Sequence, residues 1–394
     1  MEIPIINLKA GKEQSLKRYH PWIFSGAIKN VEGELQEGDV VIVHDNSGNF
    51  IGKGHYQIGS IAVRMLTFKN IEIDYTFFEE RLKSALKLRK IAGLTDNDDT
   101  TAYRLVYGEG DRLPGLIVDI YGDTAVMQMH TVAMYRVKSI LVKAIQSIFG
   151  DSLKAIYDKS EGTLPYKSAV EPCNGYLIGR SQENVAFENG LKFYVDWEKG
   201  QKTGFFIDQR ENRRLLEQYS NDRTVLNMFC YTGGFSFYAL RGGANLVHSV
   251  DSSERAVDLT SKNVELNFPG DSRHKSFAQD AYKFMETCKE SYNLIILDPP
   301  AFAKHLKVVK NALKGYRKFN AKALEIISSG GILFTFSCSQ VISMEAFRTM
   351  VFSAAAKSGR NIRVIHQLSQ PADHPVSIYH PEGEYLKGLV LYVE

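Results

Sequence analysis

The chain has 394 residues, more than one ordinary domain of ~100 to 200 residues holds, so two or three compact units are expected. Hydrophobic residues make up 44%, charged residues 24%, and prolines number only 11, a soluble globular balance that leaves little room for long disordered tails. Met1 to Ala10 lack the pattern of a signal peptide and no apolar run approaches the ~20 residues of a membrane span, so a cytoplasmic protein with no membrane partner is expected; four scattered cysteines argue against a disulfide framework and a zinc site, and a net charge of +3 leaves a nucleic-acid partner undecided.

From Met1 to about Lys69, short β-like runs such as Val40 to Val43 and Ile61 to Leu66 alternate with Gly, Asn and Asp turns, the pattern of a small β-rich domain. Trp22 and Phe24 read there as core. Asp74 can cap a helix whose apolar residues Phe77, Phe78, Leu82, Leu86 and Ile91 recur at helical spacing among lysines and arginines. Strand-like runs at Gly115 to Ile120 and Thr124 to Met129, a helix near Val132 to Ile148 and a strand at Leu153 to Tyr157 form a small α+β unit. Asn189-Gly190 between two alternating apolar runs, Val185 to Phe187 and Leu191 to Val195, is a hairpin signal. These breaks give three expected domains, 1–70, 71–184 and 185–394, with linkers near Lys69 and Arg180.

After Asp208 apolar runs alternate as strand and helix: Thr224 to Phe229, Phe235 to Leu240, Leu246 to Val250, Glu254 to Leu266, Leu294 to Leu297, Val309 to Ser328 and Ile332 to Phe336. That alternation predicts a doubly wound, Rossmann-like α/β domain. Ile362 to Ile365 and Leu386 to Val393 are placed as a closing antiparallel strand pair.

The candidate chemistry gathers where such a sheet holds ligands, at the carboxyl ends of its strands. The run Asn227-Met228-Phe229-Cys230-Tyr231-Thr232-Gly233-Gly234-Phe235 follows the first strand, and its glycines let backbone approach a ligand. It lacks both the G-x-G-x-x-G spacing of a dinucleotide site and the lysine of a P-loop. Asp251 ends the second strand about 20 residues later, where a carboxylate can accept both ribose hydroxyls of an adenosine-containing cofactor, and Ser252 follows it. Asp280 stands similarly after the third. Either Asp can also serve only as a helix cap, and the shared crevice favours the ligand role. Asp298-Pro299-Pro300 follows the strand Leu294 to Leu297, a stiff turn that either aims a carboxylate at a base or is purely structural. Cys338, in Phe336-Ser337-Cys338-Ser339, is placed beside Asp298. A buried cysteine is usually inert, but one facing a carboxyl group at this edge reads as a nucleophile.

With these residues assembled, the chain resembles the bacterial large-subunit ribosomal RNA methyltransferases of the RlmI type, which act at carbon 5 of a cytosine. Gly200 to Arg210 (G-Q-K-T-G-F-F-I-D-Q-R) is similar to that family's segment before the first Rossmann strand, and N-M-F-C-Y-T-G-G-F to its cofactor loop, apart from Cys230. D-P-P-A-F-A-K and F-S-C-S are similar to its catalytic turns. At the amino end H-P-W-I-F-S-G with G-D-V-V-I-V-H-D resembles its PUA domain, a small RNA-binding β-barrel, and H-P-V-S-I-Y-H-P-E-G-E-Y-L-K-G resembles its closing segment.

The resemblance implies S-adenosyl-L-methionine as cofactor and ribosomal RNA as partner, with a homodimer as a further expectation. It implies cofactor contacts at Thr203, Gly204, Phe206, Asp208, Arg210, Asn227, Phe229, Tyr231, Thr232, Gly233, Gly234, Asp251, Ser252, Asp280 and Asp298. Cys338 would be the nucleophile and Asp298, protonated, its acid partner. Pro299, Pro300, Phe302 and Lys304 would meet the base or its phosphate, with packing for Phe302 and a solvated charge for Lys304 as the alternatives. Competing readings are methylation of uracil or of a guanine nitrogen, an RNA-binding assembly factor without turnover, and a nicotinamide oxidoreductase. The missing glycine spacing weighs against the last of these.

Overall fold

The computed structural model describes residues 2–165, 170–181, 184–303 and 305–394, so Lys304 lies outside the described residues. The chain forms two compact units, neither of them one continuous segment. Unit one comprises Met1–Phe187, Val195–Ile207 and Ala372–Gly383; unit two comprises Glu188–Tyr194, Asp208–Pro371 and Glu384–Glu394.

Unit one begins with β1 (Ile5–Leu8), a one-turn helix α1 (Gln14–Lys17), β2 (Trp22–Phe24), β3 (Ile28–Glu32), β4 (Val40–His44), β5 (Phe50–Tyr56) and β6 (Ile61–Thr67). They form one sheet in the order β2-β6-β5-β4-β1-β3. Ile6, Leu8, Ile23, Val41, Val43, Val63 and Met65 pack as its core. Strand alternation corrects the expectation that Trp22 and Phe24 are core: Ile23 is the β2 side chain in that core, whereas Trp22, on the opposite face, is half-buried and Phe24 is 51% exposed.

Helix α2 (Tyr75–Ile91) starts where expected, with the Asp74 carboxylate accepting the Phe77 amide at 2.9 Å and so satisfying an orphan donor of the first turn. β7 (Ala102–Tyr107), β8 (Leu116–Tyr121), β9 (Thr124–Met129), β10 (Ala155–Asp158) and β11 (Gly175–Ile178) build a second sheet in the order β11-β10-β9-β8-β7. The single helix expected near Val132 to Ile148 is two, α3 (Val132–Arg136) and α4 (Lys138–Phe149), broken at Val137. β12 (Val185–Glu188) and β13 (Leu191–Tyr194) form the expected hairpin. Asn189 and Gly190 are both left-handed, at φ 48° and 79°, as its two-residue turn requires.

Unit two is the Rossmann-like sheet. Helix α5 (Arg210–Glu217) leads into β14 (Thr224–Met228), α6 (Gly234–Arg241), β15 (Leu246–Asp251), α7 (Glu254–Asn267), β16 (His274–Ala278), α8 (Ala281–Thr287), β17 (Tyr292–Leu297), α9 (Val309–Ile326), β18 (Ile327–Ser337), α10 (Met344–Ser358), β19 (Ile362–Leu368) and β20 (Lys387–Val393). The order is β16-β15-β14-β17-β18-β20-β19. β14 to β18 pair in parallel, and β20 pairs antiparallel with both β18 and β19, the closing pair the sequence predicts. β14 lies between β15 and β17, so strand order reverses there and a crevice opens beyond the carboxyl end of β14. Among the described residues no helix is long and apolar enough to cross a membrane, and no group of three or more acidic, His or Cys side chains is arranged to hold a metal.

Candidate active site

The loop after β14 departs from ordinary backbone. Phe229 and Tyr231 take left-handed φ values of 60° and 48°, which cost side-chain-bearing residues energy and persist where neighbours hold them. Gly233, at φ 85°, caps α6, and a Cβ there would come within 2.6 Å of Thr260 and 2.8 Å of Phe237, so no larger residue fits. Two bonds fix the turn: the Tyr231 amide donates to the Asp251 carboxylate at 3.0 Å and the Cys230 amide to the Val250 carbonyl at 3.0 Å. Asp251 also accepts the Ser253 amide at 3.0 Å, tying the ends of β14 and β15 together. Burial pushes the Cys230 thiol far above its ordinary pKa, so this second cysteine is inert.

Asn227, near the end of β14, is buried and its amide nitrogen donates to Ser236 Oγ at 2.9 Å; Ser236 in turn meets Ser249 at 2.6 Å, and Ser249 meets His274 at 2.7 Å. This chain fixes the amide with Oδ1 buried and without a hydrogen-bond partner. Thr232 and Gly234 are buried in the same loop. Ser252 is exposed beyond Asp251, and Asp280 accepts the Lys283 amide at 2.9 Å as the cap of α8.

The segment entering α5 supplies a second group of polar side chains. Asp208 Oδ2 accepts the Tyr385 hydroxyl at 2.5 Å, while Oδ1 is buried without a partner. The Gln209 amide donates to Asp298 Oδ2 at 3.0 Å and is itself held by Asn212 at 2.6 Å. Arg210 is 1% exposed, and Arg213 forms a buried forked pair with Glu188 at 2.6 and 2.7 Å. Burial and the nearby Asp208 charge raise the Asp298 carboxyl to a pKa of about 7, against the Gln209 hydrogen bond and the Arg213 charge. Asp298 is therefore half-protonated near neutrality, poised to donate a proton or accept one.

Cys338 is half-buried, with Sγ 3.8 Å from the Pro299 carbonyl, so the turn after β17 and the end of β18 meet as expected. The Tyr316 hydroxyl binds the two turns together, 3.0 Å from Ser339 Oγ and 3.5 Å from both the Pro300 carbonyl and the Phe302 amide. The Phe302 ring lies against Tyr316 at 4.6 Å and Phe319 at 6.0 Å, which accounts for it by packing; Pro300 is exposed.

Lys387 was not among the sequence candidates. It pairs with Ser337 across β18 and β20, and its amine donates to the Ser339 carbonyl at 2.9 Å, so it brackets Cys338 from both sides. Burial lowers its pKa, opposed by the negative charge that Cys338 can carry. A lone lysine at the head of the apolar run Lys387-Gly388-Leu389-Val390-Leu391 was the available signal. Gln209 and Tyr385 were likewise missed. Gln209 was visible only as the neighbour of Asp208 in a noted motif.

Thr203, Gly204 and Phe206 belong to unit one. The buried Thr203 hydroxyl lies 2.6 Å from Asp119 and 2.9 Å from the Tyr121 hydroxyl, and a Cβ on Gly204 would come within 2.8 Å of Val195 and 2.9 Å of Trp197. Both positions are tightly packed within that unit.

A family model described as S-adenosylmethionine-dependent methyltransferase matches residues 164–386, and a PUA-like domain model matches residues 6–68. The ribosomal RNA large subunit methyltransferase I of Alteromonas mediterranea is 40% identical over 98% of both chains. The chain belongs to the RlmI-type family of S-adenosylmethionine-dependent methyltransferases. The Klebsiella pneumoniae protein of the same name is 37% identical over 99% of this chain and 98% of its own. In fold, the methyltransferase resembles a solved methyltransferase complexed with SAH, with a TM-score of 0.86 at 24% identity over the full length of both.

The residues of unit two fit the cofactor. Asn227 Oδ1 and Asp208 Oδ1 are buried without a partner, and each can accept from a ligand N–H; Asp251 ends the second strand, the position at which sheets of this kind place a carboxylate for ribose hydroxyls.

Proposed function

We propose that this methyltransferase modifies carbon 5 of a cytosine in large-subunit ribosomal RNA, with Cys338 as nucleophile and Asp298 as acid. The substrate class is supported by the names of the relatives, and the base and chemistry by one observation: a carboxyl of pKa about 7, in the turn against which Cys338 lies.

Carbon 5 of cytosine is a poor nucleophile. The Cys338 thiolate adds to carbon 6, the new carbon–sulfur bond pushes the ring electrons toward nitrogen 3 and carbon 5, and protonated Asp298 donates its proton to nitrogen 3. Lys387, beside Cys338, favours the thiolate by charge. When bound, S-adenosylmethionine supplies an electrophilic methyl group on a sulfonium. Asp208, Asn227, Gly233, Gly234 and Asp251 hold the cofactor in this reading, together with the remaining loop residues Phe229, Tyr231 and Thr232. After transfer, the carbon 5 proton leaves to a base, with water as candidate. The carbon 6–sulfur bond then breaks, returning the thiolate, and nitrogen 3 gives its proton back to Asp298.

The test is transfer of labelled methyl from S-adenosylmethionine to protein-free large-subunit ribosomal RNA, followed by nucleoside analysis. Labelled 5-methylcytidine with wild type and none with Cys338→Ala is expected. Label on another nucleoside, or an active Cys338→Ala, overturns the assignment.

A further inference from the structure

Unit one contains a cavity of about 490 Å³, walled by the segment that follows β6, by α2, by the turn at Arg112 and by Ser377 and Tyr379. That volume is within the roughly 300–1,000 Å³ that holds one small organic ligand. Its lining is unlike the unit's own core in two respects.

The first is unneutralised positive charge. Arg81, Arg112 and Lys69 all line the cavity, and among the described residues none of them forms an ion pair with a carboxylate. Arg81 donates to the Leu66 carbonyl at 3.3 Å and lies 5.0 Å from the Phe77 ring; Arg112 donates to Ser84 at 3.3 Å. Burial pushes Arg81 down to a pKa of about 10, and the like charge of Arg112 pushes the same way against Glu80. Of the acids on the wall, Glu109 is committed to Trp22 at 2.8 Å and to Arg64 at 3.7 Å, and Glu80 is exposed. Two guanidinium forks that repel each other, neither of them ion-paired to a carboxylate among the described residues, suit a phosphate group.

The second is exposed aromatic surface. Tyr19 and Tyr379 are each 52% exposed, although their rings touch at 5.3 Å and Tyr19 also rests edge-on against Phe68 at 5.3 Å. Tyr rings left open beside cations form a platform for a flat base. Tyr19 and Arg112 are both left-handed, at φ 64° and 58°, a conformation non-glycine residues adopt at a cost and often where a ligand is clamped.

We propose that this cavity binds one nucleotide of a single-stranded RNA, with its phosphate between Arg81 and Arg112 and its base against Tyr19 and Tyr379. The inference rests on the reading of RNA as substrate and adds a hold on the strand that takes no part in methyl transfer. It is tested with the full chain, measuring fluorescence anisotropy of a labelled single-stranded heptaribonucleotide of mixed sequence, with AMP and inorganic phosphate as competitors. Tyr379→Ala and Arg112→Gln, both at exposed side chains, are each expected to weaken binding roughly tenfold. Arg112→Gln should also lower the salt slope by about 0.7, the share of one phosphate contact to a single strand. Both variants should bind S-adenosylmethionine as wild type does, which shows that they are folded. Heptaribonucleotide binding within twofold of wild type in both variants overturns the proposal. AMP that binds more tightly than the strand overturns the strand as source and leaves a free nucleotide. Because oligonucleotide binding is read without turnover, failure of methyl transfer to RNA sinks the proposed function while leaving this measurement interpretable.

Discussion

Each unit buries a cluster of charged side chains, and the two clusters are built differently. In unit one, Arg89 is fully buried and pairs with Asp111, donates to the Arg104 carbonyl at 2.7 Å and reaches the Asp373 carbonyl at 2.8 Å. Arg104 forks onto Asp119 at 2.7 and 2.8 Å, and Asp119 also meets Thr203. Asp373 accepts the Arg104 amide at 3.0 Å. Every carboxylate there faces a cation or several donors. In unit two, Arg213 and Glu188 satisfy each other, but beside them Asp298 faces Asp208 across Gln209, and Asp208 keeps a buried oxygen unpaired. The first arrangement fixes structure; the second leaves a carboxyl whose proton is loosely held and lone pairs free to bind. Unsatisfied burial is costly, and a buried carboxylate oxygen left without a partner beside a second carboxyl group sets this cluster apart from the structural network of unit one.

The largest effect is expected at Cys338. Cys338→Ala should abolish methyl transfer and leave S-adenosylmethionine affinity unchanged by calorimetry; retained transfer would put the chemistry elsewhere. Next, Arg89→Ala in the satisfied cluster should cost about 3 to 5 kcal/mol in denaturant unfolding, since it strands Asp111, yet leave cofactor affinity within twofold wherever the variant stays folded. A large affinity change would erase the distinction between the clusters.

Asp298→Asn sharpens it through pH. The folded pKa of about 7 lies above the ordinary value of 3.8, so the folded protein binds more protons than the unfolded chain between those values. The contribution of Asp298 to stability should therefore fall as pH rises from about 4 to 7, and Asp298→Asn should be flatter there and more stable by about 4 kcal/mol at pH 8. The same variant should lose transfer by roughly a hundredfold, the scale of a lost general acid. An unchanged stability profile would mean that Asp298 ionises like a surface carboxylate. Smallest, Asp251→Ala should weaken S-adenosylmethionine binding a little over tenfold, about 1.4 kcal/mol. Unchanged affinity would leave Asp251 only as the anchor of Tyr231 and Ser253.

The sheet of unit two was legible because its strands are apolar runs closed by Gly, Asp or Pro, and because the turns that carry Asp251, Asp298 and Cys338 are local in sequence. Helix α5 was not legible: Arg210, Asn212 and Arg213 point inward, so its buried face is polar and hydrophobic periodicity is blind to it. The acid character of Asp298 was expected only as a requirement of mechanism. Its causes, burial first and then the charge of Asp208, 90 positions earlier, exist only in the folded chain. Lys387 escaped for the same reason, because its partner Ser339 lies across a sheet pairing that sequence spacing does not reveal.

The path of the chain has a consequence for inheritance. It leaves unit two after Pro371, gives Ala372–Gly383 to unit one, and returns to lay β20 between β18 and β19. A gene fragment stopping at Phe187 would encode Arg89 and Arg104 without Asp373, and one starting at Asp208 would lack Glu188, the partner of Arg213. Neither unit is encoded by one uninterrupted stretch of the gene, so a single cut cannot excise either of them whole.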